Sequence, residues 1–144
     1  APRHTVNVSN GSTAGTYTAA TFTAVLNANK VYSTSASAAA TPTDIDLTAV
    51  VCADGSTGFS YVRLLIIWND AATTAYTLTT GLGTNPFKPY LAGTTPTFAI
   101  NPGVPFIAGQ PLATNGYTVD SSNKVVRLDP GANTVPYRVL ILGS

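Results

Sequence analysis

The chain has 144 residues, with 23 Thr, 12 Gly and 10 Pro but no Met and no Glu, so all six acids are Asp. Glu, Met and Lys are residues that fill helices, whereas Thr is stiff at χ1 and suits a pleated surface, so this composition excludes a helical bundle. Only 9% of residues are charged, the net charge is +1, and the seven bases (Arg3, Lys30, Arg63, Lys88, Lys124, Arg127, Arg138) are scattered, which excludes the basic cluster that a nucleic-acid backbone demands.

With 44% hydrophobic residues the chain is not disordered in composition. So few charges oppose association weakly. The surface therefore suits contact with other protein, or it is the Thr/Ser/Asn surface of an extracellular β domain. Cys52 is the single cysteine. It allows no intramolecular disulfide, and its apolar neighbours Val50 and Val51 predict a buried, inert thiol. The longest strongly apolar run, Val62 to Trp68, is broken by Arg63 and too short for a membrane span, so no membrane partner is expected. Ala1 fits removal of an initiator Met or of a longer leader, and the sequons Asn7-Val8-Ser9 and Asn10-Gly11-Ser12 are too brief to establish secretion.

Residues 1–20 are Thr/Ser/Asn/Gly-rich, with one brief alternation at His4–Val8, and read as an extended N-terminal arm. Residues 21–144 read as a single β-sandwich domain. Thr21 to Leu26 has strand propensity; residues 33–42 are small and polar and predict a loop or extended backbone. From Thr43 the alternation sharpens, putting Ile45, Leu47, Ala49 and Val51 on one face. A turn follows at Asp54-Gly55, then Val62–Asn69, apolar on both faces and suited to a central strand covered on both sides. Asn69-Asp70 turns the chain towards a strand over Ala75–Thr80. Residues 81–96 carry Gly81, Gly83, Pro86, Pro89, Gly93 and Pro96 and predict an irregular excursion. Thr97–Ile100 and Val104–Ile107 flank a turn at Asn101-Pro102-Gly103, with Pro105 placing the second strand at an edge or bulge. Tyr117–Asp120, Lys124–Asp129 and Tyr137–Leu142 complete the pattern. Eight to ten short strands predict an all-β antiparallel sandwich, jelly-roll-like.

Chemistry-bearing residues are few. His4 is the lone histidine, so a nucleophilic triad or a multi-His zinc site has no partners within one chain. Asp44 and Asp46 project from one strand face about 7 Å apart, within reach of glycosidase carboxyl spacing, but the same pattern is an ordinary solvated strand face. A calcium site from these two with Asp54 or Asp70 lacks a dense Asp/Asn/Gly loop. No cofactor is expected. Phe87 and Tyr90, with Lys88 on the same Pro-rich loop, predict an exposed contact patch, because rigid aromatics lose little entropy on docking. Trp68, ending the most apolar strand, reads as a core or interface aromatic in preference to a sugar platform.

The second half has a cadence: VRLLIIWN at 62–69, AYTLTTG at 75–81, NPF at 85–87, NPG at 101–103, YTVDSSNKVVRLD at 117–129 and YRVLILG at 137–143. Over residues 62–143 this resembles the small β-sandwich virion proteins of tailed bacteriophages, the decoration or cement class that coats an assembled head. The resemblance implies a trimer at three-fold positions, clamping neighbouring subunits of the major capsid protein. It also implies a virion-exterior location after synthesis in the host cytoplasm, and a structural role in place of an enzymatic one. Arg3 and His4 on the arm join Phe87, Lys88 and Tyr90 as candidate interface residues. The rival expectation is a carbohydrate-binding module or receptor-binding head. A small-virus capsid jelly roll is third, since the chain is short for one and its arm is not basic.

Overall fold

The computed structural model describes residues 28–91, 96–110 and 116–144. The expected arm, including Arg3 and His4, and the strand expected at Thr21–Leu26 lie outside them. The described residues form nine strands and, among them, no helix. These are β1 (Lys30–Ala39), β2 (Thr43–Asp46), β3 (Tyr61–Asn69), β4 (Leu78–Thr80), β5 (Phe98–Ile100), β6 (Phe106–Gly109), β7 (Tyr117–Thr118), β8 (Val125–Leu128) and β9 (Thr134–Gly143).

β3 carries the most apolar run and takes a central place, with β9 on one side and β6 and β7 on the other, in a sheet ordered β1-β9-β3-β6. β2 pairs with β8 and β4 with β5. Thr79 and Asp129 exchange backbone hydrogen bonds of 2.8 Å in both directions, which joins these pairs into a second layer ordered β2-β8-β4-β5. The antiparallel pairs nest as β1·β9, β2·β8, β3·β6 and β4·β5. A long four-rung hairpin rolled into two facing sheets has this order, the jelly roll. The expected all-β antiparallel sandwich is what the chain builds.

The inner faces meet in one core: Leu65, Ile67, Val139 and Ile141 from the first sheet face Ile45, Leu78, Ile100, Val126 and Leu128 from the second. Cys52 lies in this core as expected. Asn69 ends β3 fully buried. Its Nδ2 donates to the carbonyls of Tyr76 (2.7 Å) and Ile100 (2.9 Å), and its Oδ1 accepts from Ala71 N (3.0 Å), tying the sheets together where the sequence predicts only a turn.

Of the two conformations expected for residues 33–42, loop or extended backbone, the extended one is built over 33–39, which form most of β1, a ten-residue strand in unbroken register with β9. Their small side chains carry no hydrophobic alternation, and the non-local pairing supplies what propensity lacks. The strand from Thr43 stops at Asp46, whose Oδ1 accepts from Thr48 N (2.9 Å) and Thr48 Oγ1 (2.6 Å) and turns the chain. Ile45 and Leu47 are buried as predicted, but Val51, beyond that turn, is 65% exposed.

Candidate functional site

The loop at 81–91 overturns the exposed aromatic patch. Asn85 O accepts from the backbone of Lys124 and Val125 (3.0 Å each), and Phe87 N donates to Val125 O (2.7 Å), so this segment runs parallel beside the start of β8. Pro86 loses nothing there, since its neighbours make the bonds. The pairing turns Phe87 into the core at 1% exposure, edge-on to Tyr90 (5.8 Å between ring centroids) and Tyr117 (6.3 Å). Tyr90 packs against Phe106 at 5.2 Å, and burial pushes its phenol well above the usual range. Tyr90 Oη and the neighbouring Thr80 Oγ1 are both buried, and neither completes a hydrogen bond of normal geometry. Lys88 is half-buried in the same loop. Phe87 and Tyr90 are thus packing residues of an aromatic cluster in which Tyr90 and Tyr117 are half-buried and Phe98, 4.8 Å from Phe106, is 44% exposed.

Asp44 and Asp46 are committed to ion pairs. Asp44 lies directly opposite Arg127 across β2–β8 and accepts a two-pronged bond from Nε and Nη2, 2.6 Å each. Lys124 Nζ donates to Asp46 Oδ2 at 2.8 Å. The Arg127 bond holds the Asp44 carboxyl below its usual range, and the bonds from Lys124 and Thr48 bring Asp46 down to about 2. Paired catalytic carboxylates work when their environments push the two pKa values apart; here both move down, and the dyad supplies no protonated acid near neutral pH. Asp54 is held by Ser56 N and Oγ, Asp120 by the backbone of Ser122 and Asn123, and Asp129 by Gly131 N. These are turn-forming roles. Among the described residues no group of three or more His, Cys or Asp is placed to hold a metal ion.

The surface feature with a shape of its own is the outer face of the β1-β9-β3-β6 sheet. Alternation that sends Leu65 and Ile67 inward turns Leu64, Ile66 and Trp68 outward, beside Leu140 and Leu142 of β9 and Ile107 of β6. Ile107 is 60% exposed, while Leu64, Ile66, Trp68 and Leu140 are half-buried. At one end of this face, an open depression of about 360 Å³ is lined by Ser33, Ser35, Trp68, Arg138 and Leu140. The Arg138 guanidinium lies 5.2 Å from the Trp68 ring centroid and is bidentate to Asp70 at 2.6 and 2.8 Å. A stacked, doubly bonded guanidinium is a pre-ordered, largely neutralised surface element. The expectation that both faces of β3 are covered holds on the inner face; the outer one leaves an apolar stripe half-open to solvent.

Comparison with protein-family models, curated proteins and solved structures finds no match to the chain. The apolar character of both faces of Val62–Asn69 was legible in the sequence, but the outer face was expected to be covered and is instead half-open. The partners of that face, Ile107, Leu140 and Leu142, were not legible, because only strand order brings them alongside.

Proposed function

We propose that the chain is a structural virion protein that decorates and cements a bacteriophage capsid by bridging neighbouring capsid subunits. The observation that carries this reading is the apolar outer face of the β1-β9-β3-β6 sheet. Antiparallel sheets with one solvated face ordinarily alternate apolar inside with polar outside. A contiguous apolar patch on the outer face marks a protein contact. Low charge supports the same reading, since three of the six acids are neutralised in ion pairs with Lys124, Arg127 and Arg138, leaving little to desolvate on docking. The jelly roll is also at home in capsid domains, although fold by itself assigns no function. Cosedimentation with preformed heads of the parent phage tests the proposal. Ile66→Asp and Ile107→Asp, each on the outer face, should weaken co-sedimentation at least about tenfold, roughly 1.4 kcal/mol. Retention at full strength in both variants would refute the assigned face, and absence of any association with heads would refute the role.

The Trp68 depression favours a second reading, carbohydrate binding, because an aromatic ring beside hydroxyls and a guanidinium is a sugar-compatible surface. Saturable binding on a glycan array that is lost in Trp68→Ala would support it. Tyr90 packs partly buried against the core cluster and does not line this depression.

A further inference from the structure

A two-sheet sandwich has four sides along which backbone groups lack a strand, and proteins that stay monomeric protect them with short strands, prolines, charges or bulges. Three sides here are protected. β6 has four residues and follows Pro105, β5 has three residues between Pro96 and Pro102, and β2 has four residues carrying Asp44 and Asp46. β1 has none of these devices. It runs ten residues, Lys30–Ala39, without proline or register shift, and Lys30 is its only charge.

The direction of its backbone groups follows from its hydrogen bonds. Ala40 N donates towards β9, to Asn133 O at 2.8 Å, so even-numbered residues bond inward. Val31 O instead accepts from Ala53 N at 2.7 Å on the opposite side. The N–H and C=O groups of Ser33, Ser35, Ser37 and Ala39 therefore face the open edge, and these four residues are exposed. Among the described residues no backbone group pairs with them, and Ala39 O receives only a long contact from Thr41 Oγ1 at 3.4 Å. The open span has defined ends. Ala53 closes it at Val31, and at Ala40, with φ of 55°, the chain turns away towards the other sheet. What lies between is residues 33–39, with Ala36 at the midpoint.

We infer that two copies of the chain pair antiparallel along β1 about a two-fold axis at Ala36, joining their five-stranded sheets into one. The occupant is specified by self-complementarity. About this axis Ser35 meets the partner's Ser37, Ser33 meets the partner's Ala39, Thr34 meets the partner's Ala38, and Ala36 meets itself. No side chain in the span exceeds Thr in size and none is charged, so antiparallel approach to the usual 4.5–5.5 Å between Cα atoms meets no clash or repulsion. Shifting the axis towards Lys30 would drive the partner strand into the Ala53 loop. The pairing rests on the edge alone and holds whether or not the virion role does.

Light scattering on the full chain across a dilution series tests this. Wild type should show twice the 14.8 kDa chain mass at the concentrated end and dissociate on dilution. Ser35→Pro removes an N–H that points to the open edge and spares the β9 ladder; Ser35→Lys places a charge on the edge. Both should raise the dimer dissociation constant at least about tenfold with the melting temperature unchanged. Ala36→Cys, a non-hydrogen-bonded pair across the axis, should give a disulfide-linked dimer under mild oxidation, while wild type, whose Cys52 is buried, should give none. A strict monomer at every concentration would overturn the inference, as would a trimer or dimer indifferent to both Ser35 variants. Failure of Ala36→Cys to cross-link would overturn the axis.

Discussion

Phe87→Ala separates a packing role for the 81–91 loop from a docking role. The ring is fully buried, edge-on to Tyr90 and Tyr117, and fastened from below by the bond from Phe87 N to Val125 O. Truncating a buried Phe costs about 3–5 kcal/mol, from lost transfer energy plus the cavity left behind. A surface loop can partly collapse over that cavity, which places the expected loss near about 3 kcal/mol. For a domain of this size that lowers the melting temperature by roughly 10 °C, at about 3–4 °C per kcal/mol. Urea titration should show the midpoint falling with an unchanged slope, so that the change is assigned to stability and not to a different unfolded state. If Phe87 were an exposed anchor, the substitution would leave stability within about 0.5 kcal/mol and act only on binding. A loss under about 1 kcal/mol would refute the placement of the loop against β8.

Asn69→Ala should destabilise the fold by about 2–4 kcal/mol in urea titration, because it strips the Tyr76 and Ile100 carbonyls and the Ala71 N–H of their partner in a buried place; a cost near zero would show that water replaces the amide. Acid sensitivity should trace to Asp46. Its folded pKa of about 2 lies below the unfolded value near 3.8, so its contribution is present in full above pH about 4 and is lost as pH falls towards 2. With the carboxylate 36% exposed, screening reduces that contribution to the order of 1 kcal/mol. Asp46→Asn should therefore cost about that much at pH 7 and flatten the pH dependence of the melting temperature between pH 4 and 2; an unchanged slope would assign the acid response elsewhere.

How much of the fold was legible depends on where its determinants sit. β3, β8 and β9 announce themselves because Val62–Asn69, Lys124–Asp129 and Tyr137–Leu142 carry their own hydrophobic pattern. β1 does not, since Ser33–Ala39 is small and polar and becomes a strand only by lying against β9, about a hundred positions away. The same non-locality hid Phe87, where Pro86 and Pro89 correctly marked an irregular backbone but the parallel contact with Val125 decides which way the ring points. Asp44 and Asp46 were legible as a same-face pair, while their neutralisation by Arg127 and Lys124 depends on the β2–β8 register. Sequence pattern reports what a segment buries; which segment covers it is a property of the rolled hairpin.

The nesting of β1·β9 around β2·β8 and β3·β6 also sets when the chain can fold. β9 lies between β1 and β3, so β1 has no neighbour in the first sheet until the last strand is available, whereas β3 can pair earlier with β6 and β7. On a ribosome adding about 5–20 residues per second, β1 would be made several seconds before its partner, and closure over so long a loop belongs to the slow, millisecond-to-second class of all-β folding. During that interval the Ser/Thr/Ala composition of β1 keeps it hydrated. A strand built from Val and Ile would be a sticky one, and the weak signal that concealed β1 in the sequence is what lets it wait.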